Sequence, residues 1–378
     1  MISEALLSLV ACPVCLEAGG CASCARPSGH GETCESYAVR AGCLCGGPDK
    51  ALLRREGEAL RCPCCQALYP LAPEGWVDLL PRASLGEVTQ YADHEFHERL
   101  HVTDAPPVLS ARVKADMMRR MLTPAPGEAV LDLGCGAGKM ALYAARDGSR
   151  PAGLDVAPFF LERAAREVDL VRGDLRRLPF RKAAFPRAYT LDVLEHLDEA
   201  GVRDVLLEAR RTVGPHGRLF VYTHAMESSR LAAFQRAVNR LARRLGEKGL
   251  IDHEREALRK SDHRNAIRSH EHFEELCAAA GLHVAQRRYY NVVFKAVVED
   301  LGLRLFEQWR RRRRGASARG GVEAARHGHG HEPAATRPSR PLLAVAEALT
   351  WLLKLDVVLF GGVRTGPFFG LLVPRERA

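Results

Sequence analysis

The segment that most constrains the fold is residues 129–139, which read AVLDLGCGAGK. Its apolar first half predicts a buried strand, its alternating glycines predict a tight loop, and the alanine-rich stretch that follows predicts a helix. A strand, a glycine loop and a helix in this order let the backbone approach a ligand and direct N–H groups at its anionic part. Asp155 ends the next apolar run, at a spacing that suits the paired hydroxyls of a ribose. The segment therefore predicts a nucleoside-cofactor site.

The glycine spacing separates three kinds of nucleotide-binding loop. The dinucleotide fingerprint requires glycine at its first, third and sixth positions, but the sixth position counted from Gly134 is Lys139. The P-loop requires glycine where Leu133 stands and Ser or Thr where Met140 stands. Both templates fail, and the remaining pattern is Asp-x-Gly-x-Gly-x-Gly at 132–138.

This pattern resembles the first motif of the class I S-adenosylmethionine-dependent methyltransferases. Further segments follow in the order typical of that family: VRGDL at 171–175, YTLDVLEHL at 189–197, PHGRLFVY at 215–222 and AGLHV at 280–284. The VLEHL form is typical of the quinone-biosynthesis group, also called methyltransferase type 11. The resemblance covers residues 110–295 and implies an α/β fold with a seven-stranded, doubly wound, Rossmann-like sheet.

The resemblance also implies which residues hold the cofactor. They follow the ends of the first four strands: Asp132, Gly134, Cys135, Gly136, Asp155, Val156, Asp174, Leu175, Leu191 and Asp192. The group after the first strand would hold the methionine part of S-adenosylmethionine, and Asp155 would hold the ribose hydroxyls. Asp174 and Leu175 would frame the adenine. Leu191 and Asp192 would lie beside the reactive methyl.

A catalytic base is needed only where the methyl acceptor must lose a proton. His196 is the first candidate, because imidazole titrates near neutrality and the Glu-His-Leu turn faces the pocket in the family that the chain resembles. His224, at the predicted end of the fifth strand, is the second candidate, and His263 is the third. A packing or helix-capping role for His196 stays open.

Ten of the twelve cysteines lie before residue 66. We recognise no export signal, so this cluster of cysteines favours a metal site over disulfides. Two C-x-x-C pairs supply four thiolates for a tetrahedral, structural Zn²⁺ site: Cys12, Cys15, Cys62 and Cys65. Their flanks resemble the small zinc ribbon that activates tRNA and protein methyltransferases. A second Zn²⁺ site is an open alternative, at Cys21, Cys24, Cys43 and Cys45.

The predicted organisation has five parts. They are a zinc-ribbon-like head at 1–81 with an insertion at 20–50, a helical cover at 82–122, the cofactor-binding core at 123–295, a helical insertion at 296–364 with a disordered linker at 310–340, and a final strand at 365–378. Apolar helices within 297–355 flank an arginine run, and they predict either peripheral contact with an anionic membrane or packing on the sheet. No apolar run is long enough for a membrane span, and a cytoplasmic protein is expected.

Three functions remain open from the sequence. The preferred one is a methyltransferase for a small-molecule or lipid-like acceptor, which the VLEHL form favours. The second is an RNA methyltransferase that docks rRNA or tRNA through the zinc head. The net charge of +9 favours it, but the head has few aromatic side chains interleaved with cations. The third is a non-catalytic, S-adenosylmethionine-binding partner protein whose head contacts another protein.

Overall fold

The computed structural model describes residues 2–17, 52–80, 91, 93–95, 102–228, 231–251, 263–306, 308–309 and 340–375. Within these residues the strands form two sheets. The head contains a three-stranded antiparallel sheet: β1 (Arg54–Glu56), β2 (Ala59–Arg61) and β3 (Leu68–Pro70). The main sheet has eight strands: β4 (Val77–Asp78), β5 (Ala129–Leu133), β6 (Arg150–Asp155), β7 (Asp169–Arg172), β8 (Arg187–Leu191), β9 (Arg218–His224), β10 (Leu282–Tyr289) and β11 (Pro367–Pro374).

The main sheet has the order β10-β11-β9-β8-β5-β6-β7-β4. All neighbours are parallel except β11, which runs antiparallel to both β9 and β10. From β5, the chain adds β6 and then β7 on one side of the sheet. It then adds β8 and β9 on the other side. The crevice at this reversal, beyond the carboxyl ends of β5 and β8, is where such sheets bind ligands. The prediction of a doubly wound α/β sheet is confirmed.

Helices cover both faces of the main sheet, and the head contains further helices. The α-helices among the described residues are α1 (Glu4–Leu7), α2 (Pro13–Glu17), α3 (Leu109–Leu122), α4 (Lys139–Ala144), α5 (Glu162–Glu167), α6 (Glu199–Val213), α7 (Ala232–Glu247), α8 (His270–Ala279), α9 (Val293–Lys295) and α10 (Arg340–Phe360). Asp198 caps the N-terminus of α6, and its carboxylate accepts a 2.8 Å hydrogen bond from the backbone N–H of Gly201. Such caps satisfy backbone donors that the first helical turn leaves unpaired.

The prediction of seven strands is one strand short for the described residues. The additional strand is β4, which comes from the head and pairs in parallel with β7 through Val77 with Val171 and Asp78 with Arg172. The backbone N–H of Leu79 continues the ladder with a 2.9 Å bond to the carbonyl of Arg172. Two paired residues carry no periodic hydrophobic pattern, which is why the sequence did not indicate this strand.

The head is packed onto the main sheet through more than β4. Ser3 donates from its N–H and its hydroxyl to the carboxylate of Asp169, at 2.7 and 2.6 Å. The N–H of Ala11 bonds to the carbonyl of Pro179 at 2.9 Å. Buried side chains of the head, such as Leu6, lie in one continuous apolar cluster with Leu131 of β5. The head therefore shares a hydrophobic core with the sheet.

The described residues of the insertion after β10 contain two helical pieces. The first is α9, which continues into a π-helix (Ala296–Leu303), and the second is α10. Helix α10 packs on α3, where the hydroxyl of Thr350 accepts a 2.8 Å bond from the N–H of Leu109. Among the described helices, none has the length and apolar character that crossing a bilayer requires.

Helix α10 runs to Phe360, five residues beyond its predicted end at Leu355. Other predictions lie outside the described residues. They are the insertion at 20–50 with the cysteines of the second Zn²⁺ site, residues 82–90, 92 and 96–101 of the predicted helical cover, and linker residues 310–339.

Candidate functional site

The glycine loop begins at the carboxyl end of β5 and leads into α4. Gly134, Gly136 and Gly138 have φ angles of 78°, 53° and 80°, in the left-handed region that favours glycine. A Cβ at Gly134 would lie 2.5 Å from Cγ2 of Val193, so a side chain has no room there. Gly134 is therefore required, because the loop backbone passes close to Val193.

Asp155 holds the loop against the end of β6. Its Oδ2 accepts a 2.7 Å hydrogen bond from the N–H of Gly136, and its Oδ1 accepts a 3.0 Å bond from the N–H of Ala157. Cys135 is buried and packs on Gly153, where a Cβ would lie 2.8 Å from its Sγ. The predicted ribose-binding acid and the predicted methionine-binding loop are thus brought together.

Asp132 lies beneath the loop rather than on its surface. Its carboxyl group is buried, and its Oδ2 accepts a 2.9 Å hydrogen bond from the hydroxyl of Tyr189 on β8. Burial raises the pKa of Asp132 to about 7, although the bond from Tyr189 acts in the opposite direction. Tyr189 was not among the predicted site residues, because a tyrosine within an apolar strand is typical of core packing.

The segment predicted to frame adenine follows β7. The N–H of Gly173 bonds to the carbonyl of Asp155 at 2.8 Å, which places Asp174 close to the ribose acid. The Asp174 carboxylate accepts two hydrogen bonds from the guanidinium of Arg176, at 3.0 and 2.8 Å. Leu175 is partly buried against the main core.

Val156 follows directly after Asp155. Its carbonyl accepts a 3.1 Å bond from Nε of Arg172. The same guanidinium donates from Nη1 to Asp78 of β4 at 2.9 Å. Arg172 therefore links the carboxyl ends of β6 and β7 to β4, the strand that the head contributes.

Leu191 and Asp192 end β8, opposite the glycine loop. Asp192 has a φ of 55° and an exposed carboxylate, which forms an ion pair with Lys114 of α3. The ammonium group of Lys114 also lies 4.4 Å from the ring centre of Tyr222 on β9. Helix α3 therefore places a cation at the mouth of the crevice, a residue that the sequence did not single out.

Both predicted catalytic histidines lie beside the same buried acid, Glu195. Nδ1 of His224 lies 3.4 Å from Oε1 of Glu195, and the hydroxyl of Thr223 donates to Oε2 at 3.0 Å. Burial alone would raise the pKa of Glu195, but the neighbouring His224 outweighs it and lowers the pKa to about 2. Glu195 was visible in the VLEHL motif but received no predicted role.

His196 follows Glu195 in a short 3₁₀ turn (Leu194–His196). The hydroxyl of Tyr91 lies 3.0 Å from Nδ1 of His196. The ring of His263 approaches the His196 ring edge-on, with 4.7 Å between the ring centres. All three candidate histidines are therefore grouped around the turn after β8.

The four cysteines predicted to bind Zn²⁺ converge in the head. Sγ of Cys12 lies 3.5 Å from Sγ of Cys65, and Sγ of Cys15 lies 3.6 Å from Sγ of Cys62. Neighbouring sulfurs in a tetrahedral ZnS₄ group lie about 3.8 Å apart, because each Zn–S bond is about 2.3 Å long. Hydrogen bonds from Cys12 and Cys15 lower the pKa of Cys62, which favours its thiolate. The donor set and the spacing fit a tetrahedral metal ion.

Comparison with known proteins agrees with this site. Residues 130–217 match the family model described as a methyltransferase domain. An uncharacterized methyltransferase of Synechocystis is 34% identical over 95 residues, which are 24% of this chain and 45% of that protein. The ubiquinone biosynthesis O-methyltransferase of Azorhizobium caulinodans is 32% identical over 111 residues, which are 28% of this chain and 43% of that protein. The chain thus spans less than half of the length of these curated relatives.

Solved structures have low sequence identity to the chain. Phosphoethanolamine N-methyltransferase 2 of Haemonchus contortus, in complex with S-adenosylmethionine, aligns with a TM-score of 0.44 and 13% identity, over 87% of this chain and 72% of that one. The matched domain model and these relatives show that residues 130–217 are similar to a methyltransferase domain.

Proposed function

We propose that the protein transfers a methyl group from S-adenosylmethionine to a small-molecule or lipid-like acceptor. The observation that carries this proposal is the glycine loop closed by Asp155 at the crevice of a doubly wound sheet. The relative from Azorhizobium caulinodans acts, by its name, in ubiquinone biosynthesis as an O-methyltransferase, which favours an acceptor of this class.

The loop and the neighbouring strand ends supply a binding surface for each part of the cofactor. The backbone at 134–136 would bind the methionine carboxylate, and Asp132 would attract its ammonium group. Asp155 and Val156 would contact the ribose. Asp174 and Leu175 would frame the adenine, with Arg176 holding the Asp174 carboxylate in place.

Methyl transfer from a sulfonium is an in-line displacement of an activated leaving group. The protein therefore contributes mainly by positioning the donor and acceptor and by excluding water. The carboxylate of Asp192, which is paired with Lys114, would lie beside the sulfonium and attract its positive charge. An acceptor hydroxyl loses its proton, which His196 or His224 would accept, and its oxygen forms the new bond to the methyl carbon. The sulfonium becomes a thioether.

The head would hold one structural Zn²⁺ through Cys12, Cys15, Cys62 and Cys65. Four thiolates leave no coordination position for a substrate, so the ion would stabilise the head rather than take part in chemistry. Cys12 and Cys62 are fully buried in the core that the head shares with the sheet. The ion would therefore also stabilise the attachment of the head.

Calorimetry with S-adenosylmethionine tests the cofactor assignment. Asp155→Ala removes a charged acceptor of hydrogen bonds, and we expect binding to weaken by about 10- to 100-fold, as hydrogen bonds to charged groups contribute about 1.5–3 kcal/mol. Asp204→Ala, an exposed change on α6, is the matched control and should bind normally. Unchanged binding by Asp155→Ala would reject the site.

Cofactor carrying a labelled methyl group identifies the acceptor class. The full-length protein is incubated with lipid, small-metabolite and RNA fractions of cells that lack it. Label in the lipid or small-metabolite fraction supports the proposal, whereas label in RNA alone would favour an RNA methyltransferase. Tight cofactor binding without labelling of any fraction would favour a non-catalytic partner protein.

A further inference from the structure

Three side chains that can bind a metal ion lie close together, outside the glycine loop and outside the cysteine cluster. They are Glu195, His196 and His263, and one ligand atom of each lies within 4.8 Å of the others. The first two belong to the turn after β8, and the third belongs to the segment that precedes α8. The backbone carbonyl of Glu195 accepts bonds from the N–H groups of Arg264 and Asn265, at 2.9 and 3.1 Å. These bonds fix the His263 segment against the turn.

The carboxylate of Glu195 is buried in a setting that favours a cation. Its side chain is 1% exposed, and its oxygens meet the hydroxyl of Thr223 and the imidazole of His224. Within the described part of the chain, no lysine or arginine side chain forms an ion pair with it. His224 is its ion-pair partner but carries a charge only when protonated, and a metal ion beside the carboxylate would compensate the buried charge as well.

We propose that Glu195, His196 and His263 bind a first-row divalent transition-metal ion. Two imidazoles and one carboxylate form a ligand set that suits Fe²⁺, Mn²⁺, Co²⁺ and Zn²⁺ and leaves coordination positions open. Thr223 and His224 would orient the carboxylate from behind, as outer partners do for metal ligands. The site differs from the cysteine cluster both in its ligands and in its place in the fold.

The location suggests what the ion does, and this step rests on the proposed function. Val193 contacts the glycine loop at Gly134, and Glu195 follows two residues later. The ion would therefore lie beside the place where the sulfonium methyl is expected. It would bind an acceptor through an oxygen, such as a phenol, catechol or enol, and favour loss of the hydroxyl proton to water. The oxygen then forms the bond to the methyl carbon, and the carbon–sulfur bond breaks.

Cobalt titration of the metal-free, full-length protein without an affinity tag tests the site. Thiolate-bound Co²⁺ gives an intense charge-transfer band in the near ultraviolet, whereas Co²⁺ bound by nitrogen and oxygen gives only visible ligand-field bands. We expect the wild type to bind one Co²⁺ equivalent without thiolate absorption, in addition to the thiolate-bound metal. His263→Gln and His196→Gln should each lose that equivalent and keep the thiolate band.

Matched variants separate the metal site from general effects. His216→Gln changes an exposed histidine in a turn outside the cluster and should behave as the wild type. Thr223→Val keeps the shape but removes the hydroxyl, and should weaken Co²⁺ binding by about 10- to 100-fold. The inference is wrong if the wild type binds only thiolate-bound cobalt, or if both histidine variants retain the second equivalent.

The same samples distinguish this inference from the proposed function. Calorimetry with S-adenosylmethionine should give equal affinities for the wild type and His263→Gln, because His263 is not expected to contact the cofactor. Normal cofactor binding without a second cobalt site would reject the metal site alone. A second cobalt site without cofactor binding would reject the proposed function alone.

Discussion

The hydroxyl of Tyr189 donates a 2.9 Å hydrogen bond to Oδ2 of Asp132 beneath the glycine loop. Both side chains are removed from water. Burial penalises the charged carboxylate more than the hydrogen bond favours it, so the pKa of Asp132 rises to about 7. In the ligand-free protein this aspartate therefore titrates near neutrality.

This shift predicts a specific dependence of stability on pH. An unfolded aspartate has a pKa of 3.8, so between about pH 4 and 7 the folded protein binds more protons at this position than the unfolded chain. The contribution of Asp132 is thus fully present below pH 4 and is lost as the pH rises through 7. The loss amounts to a few kcal/mol, since each pKa unit corresponds to about 1.4 kcal/mol.

Asp132→Asn should remove this dependence. Relative to the wild type, the variant should gain stability as the pH increases from 4 to 8, measured by denaturant unfolding in buffers of constant ionic strength. Tyr189→Phe removes the bond that lowers the pKa, and should extend the loss of stability to higher pH. Parallel pH profiles for the wild type and Asp132→Asn would show that the carboxyl is ionised throughout.

The glycine loop offers a matched pair of substitutions. Gly134 and Gly136 both have positive φ, but a Cβ at Gly134 meets Val193 at 2.5 Å, whereas a Cβ at Gly136 meets nothing within 4 Å. Gly136→Ala should cost about 1–2 kcal/mol of folding free energy for the left-handed backbone. Gly134→Ala should cost about 1–3 kcal/mol more, because it also overpacks the site. Chemical denaturation measures both values, and equal losses would contradict the clash.

Metal removal should destabilise the whole chain and not only the head. Cys62 belongs to the proposed Zn²⁺ site and to the core that continues into the main sheet. Cys62→Ser should reduce the zinc content by one equivalent, measured by plasma mass spectrometry, and should lower the melting temperature of the main unfolding transition. Cys277→Ala, a buried thiol on α8, should keep the zinc. A Cys62→Ser protein with full zinc content would show that the ion binds elsewhere.

Asp356 connects α10 to the start of α9. Its buried carboxylate accepts bonds from the N–H groups of Val293, at 3.0 Å, and Phe294, at 3.1 and 3.2 Å. Asp356→Leu leaves these donors without an acceptor, and each unsatisfied buried donor costs about 1–3 kcal/mol. We expect faster hydrogen exchange at residues 293–295, measured by mass spectrometry. Asp204→Asn, an exposed change on α6, is the control, and unchanged exchange in Asp356→Leu would contradict this connection.

The sequence indicated the parts of the site that depend on backbone conformation. Glycine spacing and the acid after β6 indicated the loop and Asp155, because few other residues can adopt positive φ or cap such a loop. Glu195 escaped prediction, since its position between Leu194 and His196 gives no sign of its burial or of its neighbours in the fold. Helix α10 continues beyond the predicted Leu355 through Asp356, whose carboxylate is buried against α9, and the sequence gives no sign of this contact.

The pairing of β4 with β7 has a consequence for solubility. Without β4, β7 would be the edge strand of the main sheet. The N–H and C=O groups of Asp169–Arg172 would then be available to another chain. Unprotected margins of sheets recruit further strands and lead to aggregation. By pairing with β7, β4 covers this margin, and the head thereby keeps the main sheet from pairing with another chain. A protein shortened to begin at residue 81 should therefore associate with itself in light scattering, even where its cofactor loop is intact.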